Sequence, residues 1–263
     1  MIKLRWGLIK QQMSVQFLVR TLNPFSLGLF VIQPAVFSAV GMLLSRAAGN
    51  STPDLVYNVI GGGIMGMWSG LVFTSTFDIA GDRRNGMLEL IVGSPTSLNL
   101  IEAIRTLTNV LSGLFSLALA FLAASLIFGY SFAGVNYWGV LISLVLLLFA
   151  MWSIGVFLAN FLAWSRLSGT FVDYLEMPIA FLCGFMYPIR VLPVWLQTLS
   201  GAVPIRWALE AMNESLLGSF DLKYLAIHWA MAIGLSLVLI MLTNWLQVKV
   251  HDKIRLSGEL SSI

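Results

Sequence analysis

Long apolar segments without charges alternate along the chain with short segments that carry the charged residues. A helix needs about 20 mostly apolar residues to cross the hydrocarbon of a bilayer. Six segments meet that length: Leu27–Ser45, Leu55–Phe77, Thr106–Phe128, Tyr137–Trp164, Leu167–Tyr187 and Tyr224–Val248. The pattern predicts an all-α polytopic membrane protein with six transmembrane helices, in which residues 1–263 form a single transmembrane domain.

The composition excludes several other classes of protein. Hydrophobic residues make up 58% of the chain and charged residues only 10%, whereas soluble domains carry about a quarter charged residues. Cys183 is the single cysteine, which excludes a disulfide within the chain and any metal site built from several thiolates. The net charge of +3 comes from scattered basic residues, so we expect neither a nucleic-acid partner nor a metal site.

The distribution of basic residues predicts the orientation. With both termini inside, eleven of the 15 Lys and Arg residues fall on inner segments. The remaining four fall on outer segments: Arg46, Arg190, Arg206 and Lys223. Because cytoplasmic loops are enriched in Lys and Arg, we expect cytoplasmic termini. As a separate expectation, the chain is an integral protein of a bacterial cytoplasmic membrane.

Residues 1–26 precede the first span and have an amphipathic pattern. Apolar residues recur there at intervals of three and four: Trp6, Ile9, Met13 and Phe17. Lys3 and Lys10 lie on another face of the same helix. The pattern predicts an interfacial helix along the inner membrane surface, with a disordered basic leader as the alternative.

The second span carries a stripe of small residues, Gly62, Gly66 and Gly70, at every fourth position. Such a stripe lets two helices approach closely in lipid. The sequence leaves open whether the partner helix belongs to the same chain or to a second copy.

A cytoplasmic segment between the second and third spans is the most informative part of the sequence. Its middle, Met87–Val92, predicts a short helix that begins after charged residues and ends at Gly93-Ser94-Pro95. Apolar side chains are unfavourable on a helix that is surrounded by water, so we expect this helix to dock on the membrane interface or on a protein partner. An ordinary charged inner loop is the alternative.

Residues 82–95 resemble the corresponding loop of type-2 ABC exporter permeases, with Met87 where that family usually has Thr. In the family this loop contains the coupling helix, which sits in a groove of the ATPase subunit. The resemblance therefore implies coupling to an ATPase for eight residues: Arg83, Arg84, Gly86, Leu88, Glu89, Ile91, Ser94 and Pro95.

A second resemblance covers the Gly184–Pro188, Leu192–Leu196 and Val203–Ile205 segments, whose order and spacing match the family pattern after its fifth span. Independently, Pro188, Pro193 and Pro204 forbid one continuous helix. The segment is nevertheless too apolar for a free loop. We expect residues 188–220 to form a re-entrant helical hairpin on the outer side.

That hairpin carries a polar stripe of Arg206, Glu210 and Glu214, four residues apart. The stripe is either part of an outer exit path or a solvated outer face with i,i+4 ion pairs.

Asp173 and Glu176 lie three residues apart early in the fifth span. Carboxylates at that depth are costly unless they are paired or face a cavity. They either line an inner entrance or lie at the interface and pair with Arg166.

The chain has no ATP-binding loop of its own. Gly61 and Gly66 have the spacing of such a loop, but Met67 stands in place of its lysine. The resemblance implies that ATP and magnesium are bound by a partner ATPase. An intramembrane enzyme that pairs Ser69 with His228 is the competing class, but the catalytic motifs are missing. We expect no catalytic residues in this chain.

The resemblance implies the permease subunit of an ATP-driven exporter that moves an amphipathic drug, antibiotic or lipid out of the cytoplasm or inner leaflet. The resemblance is closer to the drug- and lipid-type exporters than to the polysaccharide type. It implies a homodimer with two ATPase subunits, in contact with membrane lipids. A polysaccharide or teichoic-acid permease and a secondary transporter without an ATPase are the alternatives.

Overall fold

The computed structural model describes residues 14, 28, 32–47, 60–74, 81, 98–126, 134–164, 169–218 and 220–257. The longer elements in these ranges are helices: α1 (Gln33–Ala47), α2 (Ile60–Thr74), α3 (Leu98–Leu126), α4 (Tyr137–Trp164), α5 (Gly169–Cys183), α6 (Val194–Ser200), α7 (Pro204–Leu216) and α8 (Leu222–Ser257). A single 3-10 turn, Ile189–Val191, lies between α5 and α6. The described part of the chain contains no strand, which agrees with the predicted all-α fold.

Three helices of the described ranges are long and apolar enough to cross a membrane. The crossing segments are Leu100–Leu122 in α3, Tyr137–Leu162 in α4 and Leu222–Val248 in α8. Helix α2 is a shorter apolar helix. Helix α4 has the bounds predicted for the fourth span, and the six-span topology as a whole stays a prediction.

Helix α3 begins eight residues before the predicted start of the third span, at Leu98 rather than Thr106. The prediction placed the boundary after Arg105 because charges are costly in hydrocarbon. In the structure Arg105 Nη1 lies 3.1 Å from Glu102 Oε1 within the same helix. An ion pair three residues apart on a helix is compatible with helix continuation.

Polar side chains cap the N-termini of the two long helices α4 and α8. Asn136 Oδ1 accepts the backbone N–H of Gly139 at 3.0 Å. Asp221 Oδ1 accepts the N–H groups of Lys223 and Tyr224 at 3.0 and 3.1 Å. These caps satisfy N–H groups that have no partner within the helix, and they explain why both helices begin where they do.

The core lies where α4 packs against α7, α8 and α3, with α2 beside α3. Its largest fully buried side chains include Trp68, Leu147, Met151, Leu209 and Met212. Small residues bring the backbones together: a Cβ on Gly155 would lie 2.6 Å from Thr106, and one on Gly113 would lie 2.9 Å from Met67. Close backbone approach of this kind is typical of helix packing in lipid.

The interfacial helix predicted for residues 1–26 lies outside the described residues apart from Ser14, which is helical. Residues 82–95 also lie outside them. Both assignments stay predictions.

Candidate functional site

A buried carboxylate joins three helices on one side of the bundle. Glu176 of α5 is only 5% exposed and Ser69 of α2 is fully buried. The Ser69 hydroxyl donates a hydrogen bond to Glu176 Oε1. Gln33 Nε2 of α1 donates to Ser69 Oγ at 2.8 Å and lies 3.5 Å from Glu176 Oε1. We call Gln33, Trp68, Ser69 and Glu176 the Glu176 cluster.

The backbone carbonyl of Glu176 also accepts a hydrogen bond. Trp68 Nε1 donates to the carbonyl oxygen of Glu176 at 3.0 Å. The Trp68 ring also meets Phe185 edge to face, with the centroids 6.4 Å apart. Because water is absent from hydrocarbon, polar groups there must find partners within the protein. The Glu176 cluster meets this requirement by fixing α5 to α2.

The glycine stripe of α2 faces α1 within the same chain. A Cβ on Gly62 would overlap Ser38, and a Cβ on Gly66 would overlap the Pro34 ring. Gly70, the third residue of the stripe, is buried. The contacts of Gly62 and Gly66 are therefore packing contacts between α1 and α2, which is one of the two alternatives that the sequence left open.

The two predicted entrance residues differ in how far the structure describes them. Asp173 belongs to α5, but its side chain and Arg166 lie outside the described residues. Glu176 is buried and bonded to Ser69 rather than placed at an exposed interface. Long-range partners on α1 and α2 account for that burial, and residue spacing along α5 could not reveal them.

Glu102 and Arg105 form an ion pair that the sequence interpretation missed. Glu102 is 3% exposed, and the 3.1 Å pair lies at the start of α3. Trp152 Nε1 of α4 donates to the carbonyl of Ala103 at 2.9 Å, so this end of α3 is held against α4. The i,i+3 spacing of opposite charges was the available signal.

Opposite charges also meet between α7 and α8. Arg206 Nε lies 3.5 Å from Glu210 Oε2, and His228 Nε2 of α8 lies 3.3 Å from the same oxygen. The exposed fractions of these side chains are 15%, 18% and 10%. The structure thus brings together Arg206 and Glu210, two residues of the predicted outer stripe. It adds His228, which lies 18 residues after Glu210 and was not predicted to contact it.

Aromatic rings enclose the histidine of this group. The His228 ring lies 3.9 Å from the Tyr224 ring and 5.1 Å from the Trp207 ring, measured between centroids. The Arg206 guanidinium carbon lies 5.0 Å from the Trp207 ring centroid. We call Arg206, Trp207, Glu210, Tyr224 and His228 the Glu210 cluster.

Two further hydrogen bonds attach α6 to the Glu210 cluster. Arg206 Nη1 donates to the carbonyl of Gln197 at 2.7 Å, and Trp207 Nε1 donates to the carbonyl of Gly201 at 2.9 Å. Glu214, the third residue of the predicted stripe, is half-buried in α7. Within the described part of the chain no ion pair of Glu214 is found.

The Glu176 cluster and the Glu210 cluster can hold helices together, and their polar side chains can bind polar groups. Ser69 and His228, the pair considered for catalysis, bond to Glu176 and Glu210 in two different clusters. Among the described residues no group of three or more His, Cys, Asp or Glu side chains is placed to hold a metal ion.

A comparison with protein families gives one match. The model of the family described as "ABC-2 type transporter" matches residues 8–217. The matched range includes the Glu176 cluster and the predicted coupling segment, and it ends before Tyr224 and His228 of the Glu210 cluster. No curated protein matches the chain.

Proposed function

Since the chain belongs to the ABC-2 type transporter family, a family of membrane components of transporters, we propose that it is the permease subunit of an ATP-driven exporter. The family match over residues 8–217 carries this proposal. The match covers about four fifths of the 263 residues. The chain is an integral membrane protein by its apolar helices, and a permease of this family is not an enzyme by itself.

The energy for transport comes from a separate ATPase that binds ATP and magnesium and docks on residues 82–95. These residues lie between the end of α2 and the start of α3. The segment is therefore linked along the chain to both helices. Gly113 of α3 packs against Met67 of α2, and Glu102 and Arg105 stiffen the first turns of α3.

The proposed substrate is an amphipathic drug, antibiotic or lipid, exported from the cytoplasm or the inner leaflet. Asp173 and Glu176 lie near the proposed inner entrance, and the Glu210 cluster and Glu214 lie near the proposed outer exit. The burial of polar groups at both places supports this assignment, because intramembrane polar residues usually mark transport pathways or their closures. Transport of a polysaccharide is the second candidate.

Two copies of the chain with two ATPase subunits form the proposed transporter. Many apolar side chains of the described helices are exposed on the single chain, among them Phe115, Trp138, Phe181 and Trp245. Lipid covers such surfaces in a membrane, and a second copy covers part of them in the proposed homodimer.

The test of the proposal is a single substitution in the coupling segment, Leu88→Asp. An apolar anchor at the centre of a protein contact contributes about 2–4 kcal/mol to binding, and a buried unpaired charge adds to the loss. We expect the variant to insert into the membrane at the normal level but to lose the co-purifying ATPase and its coupled ATP hydrolysis.

Ser257→Asp, the same added charge near the C-terminus, is the control and should retain the ATPase. If Leu88→Asp keeps the ATPase and normal substrate-stimulated hydrolysis, the coupling assignment is wrong. If no ATPase co-purifies with the unaltered chain and a proton or sodium gradient drives transport, the chain is a secondary transporter and the proposed function fails.

A further inference from the structure

One face of α3 is polar or small and lies inside the helix bundle. Its residues recur at alternating intervals of four and three, which places them on one side of a helix. Four of them, all buried, form what we call the α3 seam: Thr106, Asn109, Gly113 and Ser116. The opposite side of α3 carries exposed apolar residues: Leu107, Leu111, Phe115 and Leu122. Helix α3 is thus polar towards the bundle and apolar towards lipid.

Helices α2 and α4 cover the α3 seam. A Cβ on Gly113 would lie 2.9 Å from Met67 of α2, and a Cβ on Gly155 of α4 would lie 2.6 Å from Thr106. The ion pair of Glu102 and Arg105 lies just before the seam. Between Thr106 and Ser116 the helix has no charged residue. The seam is therefore an uncharged polar surface enclosed by three helices.

Helix packing does not explain Asn109. Small side chains such as those of Gly113 and Ser116 let neighbouring helices approach closely. Asn109 is larger and 0% exposed, and neither its amide nitrogen nor its amide oxygen has a hydrogen-bond partner among the described residues. A buried polar group without a partner costs free energy, and such groups are few in native proteins. Polar residues inside a membrane bundle usually mark the path of a substrate, an ion or water.

We propose that the α3 seam binds the uncharged polar group of the transported amphipathic molecule, with Asn109 as the hydrogen-bonding residue. A carboxamide offers two N–H donors and an acceptor oxygen, so it can bind amide and hydroxyl groups. The lack of charge between Thr106 and Ser116 disfavours an ionic group. This inference rests on the proposed function, because it names a contact for the exported substrate.

Access to the α3 seam depends on α2. Met67 of α2 covers Gly113 in this structure, so a ligand reaches Asn109 when α2 shifts relative to α3. These two helices also flank the proposed coupling segment, residues 82–95. We therefore expect the seam to be more accessible during ATP hydrolysis than in its absence.

Labelling of single cysteines by N-ethylmaleimide tests the access. The reactive form of a thiol is the thiolate, which forms where water reaches the side chain and not in contact with lipid chains. Asn109→Cys, in a Cys183-free variant, is labelled in inside-out vesicles that contain the chain and its ATPase. We expect labelling to be several-fold faster with ATP than without it.

Val110→Cys and Leu111→Cys are the controls for Asn109→Cys. Val110 is 1% exposed and lies beside Asn109 but off the seam, and Leu111 is 40% exposed on the lipid side. Both variants should label slowly with and without ATP. Slow labelling of Asn109→Cys in both conditions, or equal rates for Asn109→Cys and Val110→Cys, would overturn the proposal.

The same vesicles separate this proposal from the proposed function. Normal ATP hydrolysis together with slow labelling of Asn109→Cys shows that the seam assignment is wrong and leaves the coupling to an ATPase intact. If no ATPase accompanies the chain, the proposed function fails. The labelling is then measured under a proton gradient, where faster labelling of Asn109→Cys than of Val110→Cys still supports a binding surface on α3.

Octyl glucoside, a neutral amphipathic molecule with hydroxyl groups, tests the class of ligand. It is added below the concentration that dissolves the vesicles, and the reporter is Thr106→Cys, which keeps Asn109 in place. We expect octyl glucoside to slow the labelling of Thr106→Cys several-fold during ATP hydrolysis.

The double variant Thr106→Cys with Asn109→Leu is the matched control. Leu has the same branching as Asn but no hydrogen-bonding group, so octyl glucoside should protect this variant much less. Equal protection with and without Asn109→Leu would show that the amide does not bind the ligand. No protection in either variant would show that water alone reaches the seam, and either result would refute the assignment.

Discussion

The substitution Ser69→Ala tests whether the Glu176 cluster stabilises the helix bundle. It removes the hydroxyl that donates to Glu176 Oε1 and accepts from Gln33 Nε2. A hydrogen bond contributes about 0.5–1.5 kcal/mol in proteins generally, whereas measured side-chain hydrogen bonds in membranes average about 0.6 kcal/mol. With two bonds lost, and Glu176 left buried, we expect a fall of about 1–3 kcal/mol in the free energy of unfolding.

Ser236→Ala in α8 is the matched control for Ser69→Ala. Ser236 is also fully buried within a long helix, and its hydroxyl has no hydrogen-bond partner among the described residues. Removal of an unpaired buried hydroxyl should be neutral or slightly stabilising. The change in helix propensity is the same at both positions, so it cancels in the comparison.

Reversible unfolding of the chain in mixed micelles, followed by tryptophan fluorescence, measures both substitutions. The double variant with Gln33→Ala should lose less than the sum of the two single losses, because Gln33 and Ser69 share a bond at 2.8 Å. Equal stability changes for Ser69→Ala and Ser236→Ala would refute the assignment of a stabilising role to this cluster.

Two further predictions concern packing and topology. Gly66→Leu should prevent α1 from packing on α2 and should greatly reduce the yield of monodisperse protein, because even a Cβ at Gly66 overlaps the Pro34 ring. Gly234→Leu, at an open position, is the control and should purify normally. Equal yields of the two variants would contradict the packing of α1 on α2. A cysteine at position 85 in a Cys183-free variant should react with a membrane-impermeant thiol reagent only in inside-out vesicles, because the count of basic residues places this segment in the cytoplasm. Reaction in intact cells would show that the predicted orientation is wrong.

Three of the predicted spans overlap helices that are long and apolar enough to cross a membrane, because the signal for a span is local. Uncharged length, divided at the turn-rich residues 129–136, located α4 with its observed bounds. Prolines alone predicted breaks near the start of α6 and α7, and Pro193 and Pro204 do lie at those helix starts. Helix α3 begins eight residues before the predicted span, and an ion pair within the helix lies at the charges that were taken as the boundary of that span.

The candidate site was harder to predict because its contacts are long-range. Ser69 and Glu176 are 107 residues apart in sequence, and Gln33 is 36 residues from Ser69. The sequence around each of these residues is compatible with several places in the fold, such as the interior or the surface. Only the packing of α1, α2 and α5 determines that the three side chains meet. His228 likewise gains its partner on α7 only when α8 folds back against it.

The contacts of α5 connect the two clusters through one continuous set of bonds. Midway along α5, Trp68 of α2 donates to the carbonyl of Glu176. Near the end of α5, Ser200, the last residue of α6, donates to the carbonyl of Leu182. Helix α6 in turn accepts Arg206 of the Glu210 cluster. Helices α2 and α6 are thus both hydrogen-bonded to backbone carbonyls of α5, and packed helices of this kind can carry coupling between distant sites. Helix α5 is therefore bonded both to α2, which carries Trp68 and Ser69, and to α6, whose Gln197 carbonyl accepts from Arg206.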